Sequence, residues 1–150
     1  MAESPFSRPI DVRFWHCDPS GIMFWPNFAV WCHENVEHWM EQRLGRRLAD
    51  LINEDRTGWP TAALDFQFQA PTFMGDLLTA TVKVLKVGRA SVELRHEFAC
   101  GEQLRVAARH VMVQTSLETH KSTPILEKLR PFVEAEAKLT AAGQPESGST

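Results

Sequence analysis

Tyrosine is missing from this chain of 150 residues, and cysteine is scarce: Cys17, Cys32 and Cys100 are its only thiols. An odd, widely spaced set excludes a disulfide framework, and without a C-x-x-C pair the common zinc sites are excluded as well. Reduced, mostly buried thiols are expected. No apolar run approaches the ~18 residues needed to cross a bilayer. The opening MAESPFSRPI has no charged-then-apolar leader, so a cytoplasmic protein with no membrane partner is expected. A surplus of positive charge is also lacking, since 16 Lys and Arg face 19 Asp and Glu for a net charge of -3. That balance argues against bulk nucleic-acid binding but leaves local arginines able to hold a small anion. Neither G-x-S-x-G nor a P-loop occurs, which removes the serine-hydrolase elbow and the nucleotide-triphosphate cradle. HENVEH at 33–38 spaces its two histidines five apart. A zinc helix needs four, so this reads as a solvated face with i,i+4 pairs and no metal is expected.

The chain does carry a core. Apolar residues make up 43% of it, with five Trp and nine Phe, which is globular composition and enough for one domain. Residues 1–8 read as a loose leader, 9–139 as a single domain and 140–150 as a disordered tail. PIDVRFW (9–15) alternates Ile10, Val12 and Phe14 with charged residues and predicts a first strand. CDPSG follows as a turn. Phe28, Trp31, Cys32, Val36, Trp39, Met40 and Leu44 recur at helical spacing, with Pro26 suited to the first turn, Asn27 as a cap and Gly45 as the stop. RRLADLINEDRTG predicts a short second helix. From residue 61 the period changes to two: ALDFQFQ, 77–87, 90–99 and 103–117 read as strands joined by hairpin turns. Thr123-Pro124 predicts the start of a terminal helix that Pro131 must break or restart.

A meander with short turns leaves one sheet face to bury, and the aromatic helix is the only element long enough to cover it. The fold class is therefore α+β, a curved antiparallel sheet wrapped round one long helix. Its open edges predict a homodimer.

Asp18 stands just before that helix. A helix N-terminus carries unpaired N–H groups and partial positive charge. The amides of Met23, Phe24 and Trp25 are candidates to hold a carbonyl oxygen as negative charge builds on it. A carboxylate beside a polarised carbonyl can attack it or activate a water to do so. Alternatively, Asp18 simply begins a turn. Glu34 and Glu37 lie on the polar face of that helix. Cys17 is a rival nucleophile, although a packed thiol is the plainer reading. His96 and His110 share strand positions with Leu94 and Met112 and read as packing residues.

VRFWHCDPSGIMFWPNFAVW, with Cys17, Asp18, Pro19, Gly21, Ile22, Trp25, Pro26 and Asn27, resembles the 4-hydroxybenzoyl-CoA thioesterase family of the hotdog superfamily. GWP and PTFMGDLLTATVKVLKVGRASVELRHE, with its Gly75-Asp76 turn, extend the match over roughly residues 8–135. The resemblance implies a hotdog fold: a five-stranded antiparallel sheet around the long helix, dimerised into a continuous sheet and often tetrameric. It implies hydrolysis of an aryl or short- to medium-chain acyl-CoA, with coenzyme A as part of the substrate and no separate cofactor. Acyl carrier protein as thiol carrier, or a non-catalytic acyl-binding module, are the alternatives. The family's catalytic Asp falls on Asp18 and its carbonyl-polarising N–H on Trp25; other hotdog thioesterases carry the acid on the central helix, where Glu34 or Glu37 would be that residue. Arg89, in VGRAS, is the implied phosphate contact, ahead of Arg95 and Arg109. Two positions depart from the pattern. His16 replaces an acid, and His33 replaces the Asp that meets a substrate phenol, so His33 points to a different acyl group. Trp31 and Trp59 are further candidates for an apolar acyl pocket.

Overall fold

The computed structural model describes residues 2–143. Strand β1 spans Phe6–Asp11, helix α1 Pro26–Trp39 and helix α2 Leu48–Asn53. Strands β2 (Thr57–Gly58), β3 (Thr61–Phe68), β4 (Leu77–Val87), β5 (Ser91–Cys100), β6 (Gln103–Val113) and β7 (Thr115–Ser116) follow, and helix α3 (Arg130–Ala142) closes the chain. Five strands form one antiparallel sheet in the order β1-β4-β5-β6-β3, and β2 and β7 pair separately. This is the expected α+β arrangement. Irregular steps at Thr61/Ala63, Val84/Lys86 and Phe98/Ala99 interrupt the register, and such bulges bend strands and add twist.

Alternation decides which face is buried. Leu78, Ala80, Val82 and Val84 of β4 and Val92, Leu94, His96 and Phe98 of β5 all point inward. Helix α1 covers that face with Phe28, Trp31, Cys32, Asn35, Val36 and Trp39. Its last turn widens into a π turn at Met40–Leu44, stopped by Gly45 at φ 67°, a conformation that costs glycine little. Trp39 is fully buried and its indole N–H donates to Glu136 at 3.1 Å, which ties α3 to α1. No helix among the described residues is long and apolar enough to cross a membrane.

Several boundaries differ from the sequence reading. The first strand begins at Phe6, inside the stretch read as a leader, and it ends at Asp11. Phe14 sits instead in a 3-10 turn and is 81% exposed. The segment 103–117 is broken at Gln114, whose buried amide binds Thr123, Pro124 and Leu126. The terminal helix starts at Arg130, with Pro131 in its first turn, rather than at Thr123-Pro124. It continues through 140–142, and the remainder of the expected tail, 144–150, lies outside the described residues.

Candidate active site

The segment between β1 and α1 is a small hairpin built on backbone bonds. Cys17 pairs with Met23 and Ile22 with Phe73. Asp18 N–H donates to Ile22 O at 2.9 Å, and Gly21 N–H donates to Asp18 O at 3.0 Å. Gly21 lies at φ 81°, which a side chain would strain. The hairpin leans on the 70–76 loop through Met23 N–H to Thr72 O at 2.8 Å. That loop is in turn fixed by Asp76, which accepts from Phe73 N–H and Arg105.

Asp18 sits at the turn, half-buried, with Oδ1 accepting the Ser20 N–H at 2.8 Å and the Ser20 hydroxyl. These two donors, the hydroxyl foremost, hold its carboxyl below the usual range. The acid is therefore ionised at neutral pH and suited to act as base or nucleophile. The neighbouring rings of Trp15, Phe24 and Trp25 are 70%, 51% and 58% exposed, and hydrogen bonding decides the direction. Ser20 was not singled out from the sequence. An Asp followed two residues later by a Ser N–H is the pattern of an Asx turn and was the available signal.

Of the three candidate amides, two are occupied. Met23 N–H is bound to Thr72 O, and Phe24 N–H donates to His16 O at 2.9 Å. Trp25 is the N-cap of α1 and no side chain caps it. Pro26 has no N–H, and the amides of Asn27 and Phe28 turn back to Phe24 and Trp25. Among the described residues, the Trp25 N–H meets no acceptor, and it lies at the positive end of the helix. Asn27 does not cap the helix; its amide donates to His16 O at 2.9 Å and holds the approach to it.

Beside Trp25 lies a hollow of about 290 Å³ lined by Ile22, Met23, Trp25, Phe28, Phe68 and Thr72, among others. A second hollow, of about 610 Å³, lies against Phe14, Trp15 and Met74. The two indoles expected in an acyl pocket are elsewhere. Trp31 is 3% exposed and packs on Phe28, Phe98 and His16. Trp59 is 8% exposed and belongs to the separate core cluster around Trp39. Both are core side chains by packing.

The remaining candidates divide by environment. His16 is buried, accepts the Arg13 N–H at 2.8 Å and is pushed toward its neutral form by burial; it anchors the hairpin. Cys17 is half-buried, its thiol donating to Arg13 O and held protonated by burial and by Asp18. Cys32 is buried, with its thiol pushed up to about 12. Neither is an activated nucleophile. His33 is exposed and pairs with Glu37 at 3.3 Å, and Glu34 pairs with Arg8. Arg95 and Arg109 are engaged with Glu97 and with Glu93 and Asp65. Arg89 is exposed at the β4–β5 turn, and no carboxylate among the described residues pairs with its guanidinium.

Residues 12–133 match the sequence profile of the thioesterase-like superfamily. A 1,4-dihydroxy-2-naphthoyl-CoA hydrolase of Synechococcus sp. (strain WH7803) is 30% identical over 134 residues, covering 83% of this chain and 85% of that protein. The crystal structure of a 1,4-dihydroxy-2-naphthoyl-CoA thioesterase from Synechocystis superposes with a TM-score of 0.79 at 21% identity, over 87% of this chain and 96% of its own. A gentisyl-coenzyme A thioesterase superposes with a TM-score of 0.76 at 24% identity, over 83% and 99%. The curated relatives thus carry the naphthoyl name rather than the 4-hydroxybenzoyl one.

Proposed function

The chain belongs to the thioesterase-like superfamily and is a thioester hydrolase of the hotdog fold; from that premise we propose that it cleaves an aryl acyl-CoA with Asp18 as the catalytic carboxylate and the Trp25 N–H as donor to the thioester carbonyl oxygen. The observation that carries this reading is an ionised acid in the hairpin that leads into α1, together with a Trp25 N–H at the start of that helix that meets no acceptor among the described residues. A carbonyl oxygen seated on Trp25 gains the N–H and the helix dipole as it becomes an oxyanion. Asp18 then has two routes. Its oxygen attacks the thioester carbon, expelling the coenzyme A thiolate and leaving an anhydride that water opens. Alternatively, it takes a proton from a water that attacks the same carbon. Both routes yield the free acid and the thiol, and both require Asp18 ionised.

The apolar hollow at Trp25, Phe28 and Phe68 suits an aromatic acyl group, and the names of the relatives supply the aryl class. Arg89, with its guanidinium unengaged, is the proposed contact for a coenzyme A phosphate; free coenzyme A as a competitor separates this from a carrier-protein substrate. Strand β3 is an open sheet edge. Phe68, Phe73, Met74 and Leu77 around it and the hairpin are exposed. We expect a second copy to cover that region. A panel of aryl, short- and medium-chain CoA thioesters, read by thiol release, tests the function. The aryl members should be hydrolysed fastest, and no thiol release from any member would overturn the assignment.

A further inference from the structure

The 70–76 loop grips the chain on both sides of Asp18. Upstream, Val12 N–H donates to Asp76 O at 3.0 Å, and Val12 O accepts from Gly75 N–H at 2.8 Å. Downstream, Met74 N–H donates to Gly21 O at 3.2 Å, and Met23 N–H donates to Thr72 O at 2.8 Å. Ile22 pairs with Phe73 between those two bonds. Trp25 follows Met23 by two residues, so the place of its N–H depends on where the loop holds Met23. Ala70, Pro71 and Thr72 of the loop also line the hollow beside Trp25, together with Ile22 and Met23 of the hairpin.

One residue of β6 holds both ends of this loop. The backbone oxygen of Arg105 accepts the Gln69 and Ala70 N–H groups at 2.8 and 3.2 Å. Its Nη1 donates to Pro71 O at 2.7 Å and to Asp76 Oδ2 at 2.8 Å. The same Asp76 oxygen accepts the Phe73 N–H at 2.9 Å. The Arg105 and Asp76 side chains are only 11% and 22% exposed. The Phe73 N–H, ahead of Arg105, holds the Asp76 carboxyl below its usual range.

Stability alone does not account for a guanidinium at this place. Its Nε is buried and meets no acceptor among the described residues, and a buried donor left unpaired costs free energy. Replacing a buried ion pair by neutral side chains of similar volume is often harmless to stability. Neutral, apolar contacts lack direction, however. Arg105 aims two N–H bonds of one nitrogen at Pro71 O and at Asp76, and charge-assisted bonds of that kind fix geometry as well as energy.

We propose that Arg105 is a positioning residue for the hydrolysis: through Pro71 and Asp76 it holds the 70–76 loop, and the loop holds the hairpin of Asp18 and the approach to the Trp25 N–H. This rests on the hydrolase reading for the roles of Asp18 and Trp25. Arg105 acts only through the loop and touches no reacting atom. Without it the acid and the amide keep their chemistry but lose their fixed places, and a misplacement of about 1 Å can cost about a hundredfold in rate.

The test compares wild type, Arg105→Lys and the double variant Arg105→Met with Asp76→Asn. It reads kcat and KM on benzoyl-CoA and 4-hydroxybenzoyl-CoA, the melting temperature, and amide hydrogen exchange by NMR. The double variant leaves no unpaired buried charge, and the asparagine can still accept from the Phe73 N–H, so its melting temperature should stay close to wild type. Its kcat should fall at least about tenfold while KM changes less than about threefold. The Met23 N–H should exchange at least about tenfold faster, with the β5 amides unchanged. Arg105→Lys should recover most of the kcat, because a single nitrogen makes both bonds. Wild-type kcat or wild-type Met23 exchange in the double variant would overturn the inference. So would a kcat lost only together with melting temperature and β5 protection, or a lysine variant no better than the double one. If wild type released no thiol from either thioester, the hydrolase reading would fail, and Met23 exchange would still decide whether Arg105 holds the hairpin.

Discussion

Lowering the pH from 7.5 to 5 should cost this protein about 3 kcal/mol of folding stability, chiefly through two buried rings. His96 titrates near pH 3 and His110 near pH 4 in the folded chain, against an ordinary value of 6.5. Desolvation is the main cause for both, and for His96 the neighbouring His110 adds to it. Because the folded values lie below the unfolded one, the unfolded chain takes up protons that the folded chain refuses. Stability is complete above about pH 6.5 and falls as pH drops, until the folded rings themselves protonate. At pH 5 the difference is about 2 kcal/mol for a fully shielded histidine. His110 reaches toward the sheet edge and contributes less, and His16, also shifted down by burial, adds a smaller share. Asp18, Asp50, Asp55 and Asp76 have lowered values, so their contributions are lost only at and below about pH 4. Between pH 6.5 and 4.5 the histidines therefore dominate. Urea denaturation at a series of pH values measures this directly, since a 3 kcal/mol loss is a large part of the ~5–15 kcal/mol of a typical domain. A double variant, His96→Gln with His110→Gln, should retain only the slope due to His16. A flat wild-type profile, or an unchanged slope in the double variant, would refute the argument.

Other consequences are open to measurement. Ser20→Ala removes the hydroxyl that holds Asp18 down, so the acid limb of kcat/KM should move to higher pH; a limb that stays in place would mean that another group titrates. Arg89→Ala should raise KM for CoA thioesters several-fold with kcat kept, and should leave a truncated N-acetylcysteamine thioester unaffected. Light scattering is expected to give at least a dimer, and a monomer at every concentration would contradict a covered β3 edge.

Much of the architecture is legible in the chain because burial dictates it. The alternation in β4 and β5 and the helical spacing from Phe28 to Trp39 correspond to one-sided burial, and period is what such burial imposes. The first strand misleads for the same reason. Ile10 and Val12 are both buried and two apart, but the strand ends between them at Asp11, and the alternation carries on by chance to an exposed Phe14. The start of α3 is hidden because Thr123-Pro124 has the form of a helix start, while the Gln114 side chain binds that segment as a loop.

The candidate site is legible in part. Asp-Pro-x-Gly before a helix marks Asp18, but period alone cannot say which of three amides is free; that follows from Thr72 and His16, which occupy the other two. Trp31 and Trp59 look like pocket residues by size, yet packing partners distant in sequence bury them. The Arg105–Asp76 pair joins β6 to the loop before β4 across 29 positions of sequence, and no local pattern could announce it.

The account turns on the charge at position 18. Asp18→Asn keeps the size and shape of the side chain and can still accept from Ser20, so the melting temperature should stay near that of wild type. Single-turnover thiol release from the best aryl-CoA of the panel should then fall by at least about a hundredfold, the usual worth of a general base or nucleophile. An asparagine variant that releases thiol at a rate near wild type would contradict the assignment of this carboxylate to the chemistry.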